Sequence, residues 1–269
     1  MTEQSAPSPR KLAGGALLGA VASGLAVTAL CSAGTAGATC ASISGIGNSG
    51  GCTSTPNSFA IGIGSNTTAT ATGLFNGAIA SGAKSEAIAT GGNFNIAIAT
   101  GIGSIAHSGF KSTNSNYNTA TALGANSTAN AGSNSTSSSA NTATATGANS
   151  LARAGSDSTD SSYNVALASG TGSIAGAGRN SINSNYNIAT APGVKSTARA
   201  GSDSTNSNYN LATALGSNST AGAGRNSINT SNNVATALGV NSLAHAGNNV
   251  SGVGGFTAIA GPNQTVNNP

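Results

Sequence analysis

Asn141-Thr142-Ala143-Thr144-Ala145-Thr146-Gly147, then Ser150-Leu151-Ala152-Arg153-Ala154-Gly155, is the stretch that decides the fold. Each run alternates a methyl side chain with a larger one and ends at glycine. Alternation of period two marks a strand with two distinct faces. The same wording returns along the chain. Aligned on the residue before the asparagine, its markers are Phe94, Tyr117, Ala140, Tyr163, Tyr186, Tyr209 and Asn232, evenly spaced with no insertion. Asn95, Asn118, Asn141, Asn164, Asn187, Asn210 and Asn233 follow them. A unit of this length cannot bury its own apolar face, and stacked units can. The reading is therefore all-β: a parallel β-solenoid (β-roll or β-helix) with 23-residue repeats. Each repeat holds two short strands, glycine corners and a polar arc such as 156–162.

The alanine columns, Ala97/Ala99, Ala120/Ala122, Ala143/Ala145 and their successors, never enlarge, so they are expected to line a narrow interior. The other face of the first strand carries Ile96, Ile98, Thr121, Leu123, Val165, Leu167, Ile188, Leu211, Leu215, Val234 and Leu238, without a charge. A strand facing water on one side normally alternates with polar residues. Two explanations stay open: a broad core within the chain, or copies of the chain covering that face, of which the second, an oligomer, is preferred. The glycine columns Gly101 to Gly239 and Gly109 to Gly247 are expected at tight bends with positive φ. The asparagines, and the serines Ser104, Ser127, Ser150, Ser173, Ser196, Ser219 and Ser242, are expected to form structural ladders from rung to rung. Arg179 falls between Asp157 and Asp203, with Arg225 beyond, as stacked rungs would pair them.

The organisation follows from these columns. Residues 1–38 read as a secretory signal: Arg10 and Lys11, an apolar run from Leu12 to about Leu30, and Ala36-Gly37-Ala38 as a cleavage site. An uncleaved anchor is the competing reading; after cleavage no stable membrane span is expected. Residues 39–57 hold Cys40 and Cys52, expected to form a disulfide in an oxidising compartment. Residues 58–93 carry a shorter, looser version of the repeat and 94–247 the regular one. Residues 248–269 are a C-terminal cap and tail with Phe256, Ile259 and Pro262. Secretion or display at the cell surface is the expected location.

The segment Ala120-Thr121-Ala122-Leu123-Gly124, with Ser127 three residues on and Ala129 and Ala131-Gly132 after it, resembles the head repeats of YadA-like trimeric autotransporter adhesins. The resemblance covers about residues 58–247. It implies a β-roll head, association of three chains, and adhesion to a surface glycan or protein. The repeat here is longer than that family's usual unit. The likeness extends to the head repeat alone, with no heptad stalk and no run of barrel-type strands in this sequence.

Composition excludes other classes. Charged residues are 5% of the chain, aromatics 3%, and the net charge of +4 is scattered in single residues, so no basic stripe for nucleic acid exists. A β-helix enzyme acting on polysaccharides would need clustered carboxylates. The repeat region offers only Glu86, Asp157, Asp160 and Asp203, so no catalytic residue, cofactor or metal site is expected. His107 and His245 share a column too far apart to share a metal, and are expected at an exposed edge. Tyr117, Tyr163, Tyr186 and Tyr209 form the remaining candidate site: a stacking ladder, or a stripe that holds sugar rings. Thr121, Thr144, Thr190, Thr213 and Thr236 raise ice binding as a further alternative.

Overall fold

A computed structural model of the chain describes residues 39–47, 50–178, 182–201, 205–224, 226–247 and 249–269. The signal segment lies outside them, as do Arg179, Asp203 and Arg225 of the proposed charge series. The described residues form an all-β solenoid. Strands such as Thr119–Ala122, Thr142–Ala145 and Val165–Ala168 stack in parallel and in register to form a long sheet of twelve strands. Two of the twelve, Thr39–Ile43 and Ile46–Gly47, run antiparallel at its N-terminal edge and cover the backbone groups of Phe59–Ile63. The second run of each repeat, for example Thr128–Ala131 and Leu151–Ala154, builds a facing sheet of eleven strands. Thr257–Ala260 and Thr265–Asn268 carry both sheets through a final rung.

Between the sheets lies a core made almost wholly of alanine. Ala97, Ala99, Ala120, Ala122, Ala129, Ala131 and their counterparts on every rung are 0% exposed. Phe256 and Val266 pack against this core from the end. The larger apolar side chains point the other way. Val165, Ile188 and Leu211 stand on the outer surface of the long sheet, so a broad core within the chain is not the reason that face lacks charge.

The corners show why glycine recurs. At Gly124, Gly147 and Gly170 the backbone is not left-handed; the constraint is close approach. A Cβ on Gly124 would lie 2.5 Å from the Gly147 carbonyl oxygen of the next rung, and Gly147 and Gly170 meet their successors likewise. Positive φ falls two residues later, at Asn126, Asn149, Lys195, Asn218 and Asn241. The second glycine column does match the expectation: Gly155 has φ +57°, and a Cβ there would also sit 2.5 Å from Asn141 Cγ. The serines bond within their own turn rather than between rungs. Ser127 Oγ donates to Gly124 O at 2.7 Å and Ser150 Oγ to Gly147 O at 2.5 Å, tying off each corner.

Rung length changes along the solenoid. Ser58, Asn76, Asn95 and Asn118 occupy one corner column, and each bonds the next across 18, 19 and then 23 residues of chain. The buried Ala60, Ala78, Ala97 and Ala120 keep the same register beside them. The added residues build a third side. It begins as a short sheet of Ser115–Asn116, Ser138–Ser139 and Ser161–Ser162 and continues as single bridges such as Thr205↔Ile228. A two-sided roll thus becomes a three-sided coil.

An interior one methyl group deep tolerates no enlargement. Ala143→Leu is expected to destabilise the fold by about 1–3 kcal/mol in urea denaturation followed by circular dichroism. Thr144→Leu, one residue on and facing outward, is expected to stay within about 0.5 kcal/mol of wild type.

Candidate functional site

The corner between the third side and the long sheet holds the two features that could serve a function, one buried and one exposed. Asn76, Asn95, Asn118, Asn141, Asn164, Asn187, Asn210 and Asn233 are wholly buried there. Asn141 Nδ2 donates to Asn118 Oδ1 at 3.0 Å, and the Asn141 backbone N–H donates to the same oxygen at 3.0 Å. Asn164 repeats both bonds onto Asn141, and Asn187 repeats them onto Asn164. Nδ2 of Asn141 also donates to Ser138 Oγ at 2.7 Å. Each carboxamide thereby satisfies a backbone donor of the next rung that burial would otherwise leave unpaired. This ladder is structural, as its column suggests.

One residue before each asparagine, the chain is left-handed on every rung. Phe75, Phe94, Tyr117, Ala140, Tyr163, Tyr186, Tyr209 and Asn232 have φ between 55° and 60°. A side chain other than glycine costs roughly 1–2 kcal/mol in that region. Six of these eight residues are aromatic, and their exposed rings stack along the rod axis. Phe75, Phe94 and Tyr117 form one stack with centroids 5.1 and 4.9 Å apart. Tyr163, Tyr186 and Tyr209 form another at 5.0 and 4.9 Å, with their planes nearly parallel. Each contact contributes about 0.5–1.5 kcal/mol, which offsets the strain of the backbone that presents it. Asparagine tolerates this backbone region, which covers Asn232. Ala140 has neither compensation.

The candidate tyrosines therefore do not form one stripe. Tyr117 belongs to the phenylalanine stack, Ala140 separates it from the other three, and most ring faces are covered by neighbouring rings. Phe75 escapes a search at the regular period because the rung before Phe94 is shorter than those that follow.

The other candidates lie apart. The Cys40 and Cys52 sulfurs are at bonding distance, 2.07 Å, and tie the antiparallel N-terminal strand to the first strand of the facing sheet. His107 is not an unpartnered edge residue. Its Nε2 lies 2.5 Å from Glu86 Oε1 on the preceding rung, and its ring packs 4.5 Å from Phe110. Asp157 Oδ1 accepts a hydrogen bond from Asn134 Nδ2 at 2.9 Å. Among the described residues no group of three or more His, Cys, Asp or Glu could hold a metal ion.

The threonine column faces outward on the long sheet, but Leu167 stands between Thr144 and Thr190, and Val165, Ile188 and Leu211 fill the neighbouring column. It is not a regular threonine array. No helix among the described residues is long and apolar enough to cross a membrane.

Comparison with known proteins adds no assignment: no family model, curated protein or solved structure matches the chain.

The two ladders should respond differently to truncation. Asn164→Ala strands the Asn187 backbone N–H and removes the bonds that Asn164 Nδ2 donates to Asn141 Oδ1, Ser161 Oγ and Ser184 O. At roughly 1–3 kcal/mol for the stranded donor and about 1 kcal/mol for each lost bond, a loss of about 3 kcal/mol or more is expected. Tyr186→Ala removes two ring contacts and should cost about 1–3 kcal/mol. Chemical denaturation of the two variants beside wild type checks the order.

Proposed function

We propose that this chain is an exported, non-catalytic interaction rod, adhesin-like in the sense implied by its resemblance to YadA-like heads, and that it works as a homotrimer. The observation that carries the reading is the outer surface of the long sheet. Two of its columns run Phe59, Gly77, Ile96, Thr119, Thr142, Val165, Ile188, Leu211, Val234, Thr257 and Ile61, Ile79, Ile98, Thr121, Thr144, Leu167, Thr190, Thr213, Thr236, Ile259. Neither contains a charge. The facing sheet, by contrast, carries Glu86, His107, Arg153, Arg199 and His245 on its outer surface.

Stacked at about 4.8 Å per strand and five residues wide, the uncharged face covers roughly 700 Å². That is close to the ~800 Å² per partner of a stable interface. Association through this face would leave the charged sheet and the aromatic edge turned outward, where a surface glycan or protein ligand can reach them. The apolar N-terminal run and the cysteine pair support export. Among the described residues Glu86 pairs with His107 and Asp157 accepts a hydrogen bond from Asn134, which supports a role without catalysis.

Sedimentation velocity of the purified protein is expected to give the mass of three copies. Leu167→Glu combined with Leu211→Glu places two charges on the face and should yield monomers with an unchanged β-rich circular dichroism spectrum. A wild-type monomer at micromolar concentration would sink the assembly.

A further inference from the structure

We propose that the break in the aromatic ladder over Ala140 is a binding slot for one hexopyranose ring of gluco configuration, presented as the terminal unit of a glycan. At the ladder step of 4.9 Å, two rungs set the Tyr117 and Tyr163 rings about 10 Å apart. A ring seated midway lies about 5 Å from each, the spacing at which this ladder stacks its own rings. Inside each stack the ring faces are covered by the next ring, and at the outer ends, Phe75 and Tyr209, no second ring stands opposite. Here two exposed faces look at each other across a single methyl group.

The chemistry of the rim selects the occupant. A glucopyranose with equatorial substituents presents only C–H groups above and below its plane, and these seat on the negative faces of aromatic rings. Its hydroxyls then radiate sideways. Asn116, Ser139 and Ser162 immediately precede the three ladder positions, on the side away from the long sheet's outer face. Asn116 Oδ1 accepts the Asn93 N–H at 2.7 Å, which directs the amide nitrogen to other partners. The segments 116–119, 139–142 and 162–165 contain no charge, so the slot suits a neutral ligand. A flat aromatic side chain from another copy would cover these polar groups without pairing them. Ala140 also carries left-handed strain that no neighbouring ring offsets, and a bound ring supplies the missing contacts.

The slot deepens the reading of the chain as an extracellular interaction rod and rests on it, but the two fail separately. The double glutamate variant of the long sheet is expected to keep its sugar binding. The test is saturation-transfer NMR on the full-length protein with methyl β-D-glucopyranoside and its galactose counterpart, whose O4 is axial. Transfer is expected to hydrogens on both faces of the glucoside, and markedly less to the galactoside. Ala140→Tyr completes the ladder with a residue the same backbone already carries on neighbouring rungs. It should abolish transfer while the circular dichroism spectrum stays β-rich. Absence of transfer to wild type, equal transfer to both sugars, or undiminished transfer to Ala140→Tyr would overturn the proposal. So would self-association lost in Ala140→Tyr, which would assign the slot to an aromatic side chain of a second copy.

Discussion

Two parallel sheets held one methyl group apart set the terms for everything else in this solenoid. With only alanine between them, the interior gains little hydrophobic free energy per residue, because a methyl buries far less area than a leucine side chain. Stability must come from repetition: continuous backbone ladders, dense packing of small groups, and polar side chains such as Asn141 and Ser138 that satisfy buried corners. The Asn141 network is the clearest case. Its carboxamide serves its own rung and the next at once, so each repeat is completed by its neighbour. Such a molecule is cooperative only between adjacent units, as expected of a quasi-one-dimensional protein.

Much of this was legible in the sequence, because the columns that matter most vary least. Alternating alanine named the strands and their narrow side, and asparagine at every repeat named the ladder. What could not be read was which physical pressure held a given column. Glycine at 124 and 147 suggests a left-handed turn, yet the neighbouring rung's carbonyl excludes a Cβ there, and contact across rungs leaves no local signature. Serine at 127 and 150 suggests a ladder, yet its hydroxyl closes its own turn.

The changes of period hid other contacts. Glu86 and His107 meet because the early rungs are short, so neither falls where the regular period would place a partner. Phe75 joins the aromatic stack for the same reason. The functional candidates were thus visible as residue types and only partly as an arrangement. Tyrosines in one column imply a stripe; the structure instead divides them at Ala140, because continuity of stacking depends on a ring at every rung. The separation into two stacks follows from a single small residue.

The placement of apolar side chains connects the architecture to assembly. In an ordinary domain, isoleucine and leucine fill the core, and exposing several of them on one face would be a liability. Here the core has no room for them, so any such residue must point outward. A face that is both flat and uncharged over ten rungs is then a consequence of sequence choice rather than of folding need, since threonine at Thr119, Thr121, Thr142 and Thr144 satisfies the same backbone positions. Valine, leucine and isoleucine at 165, 167, 188 and 211 lie outside the alanine core and stay partly exposed. The proposed assembly gives them a role outside the chain, and the same logic applies to the proposed slot at the aromatic edge. Residues that the fold alone does not require are the ones on which the proposed contacts rest.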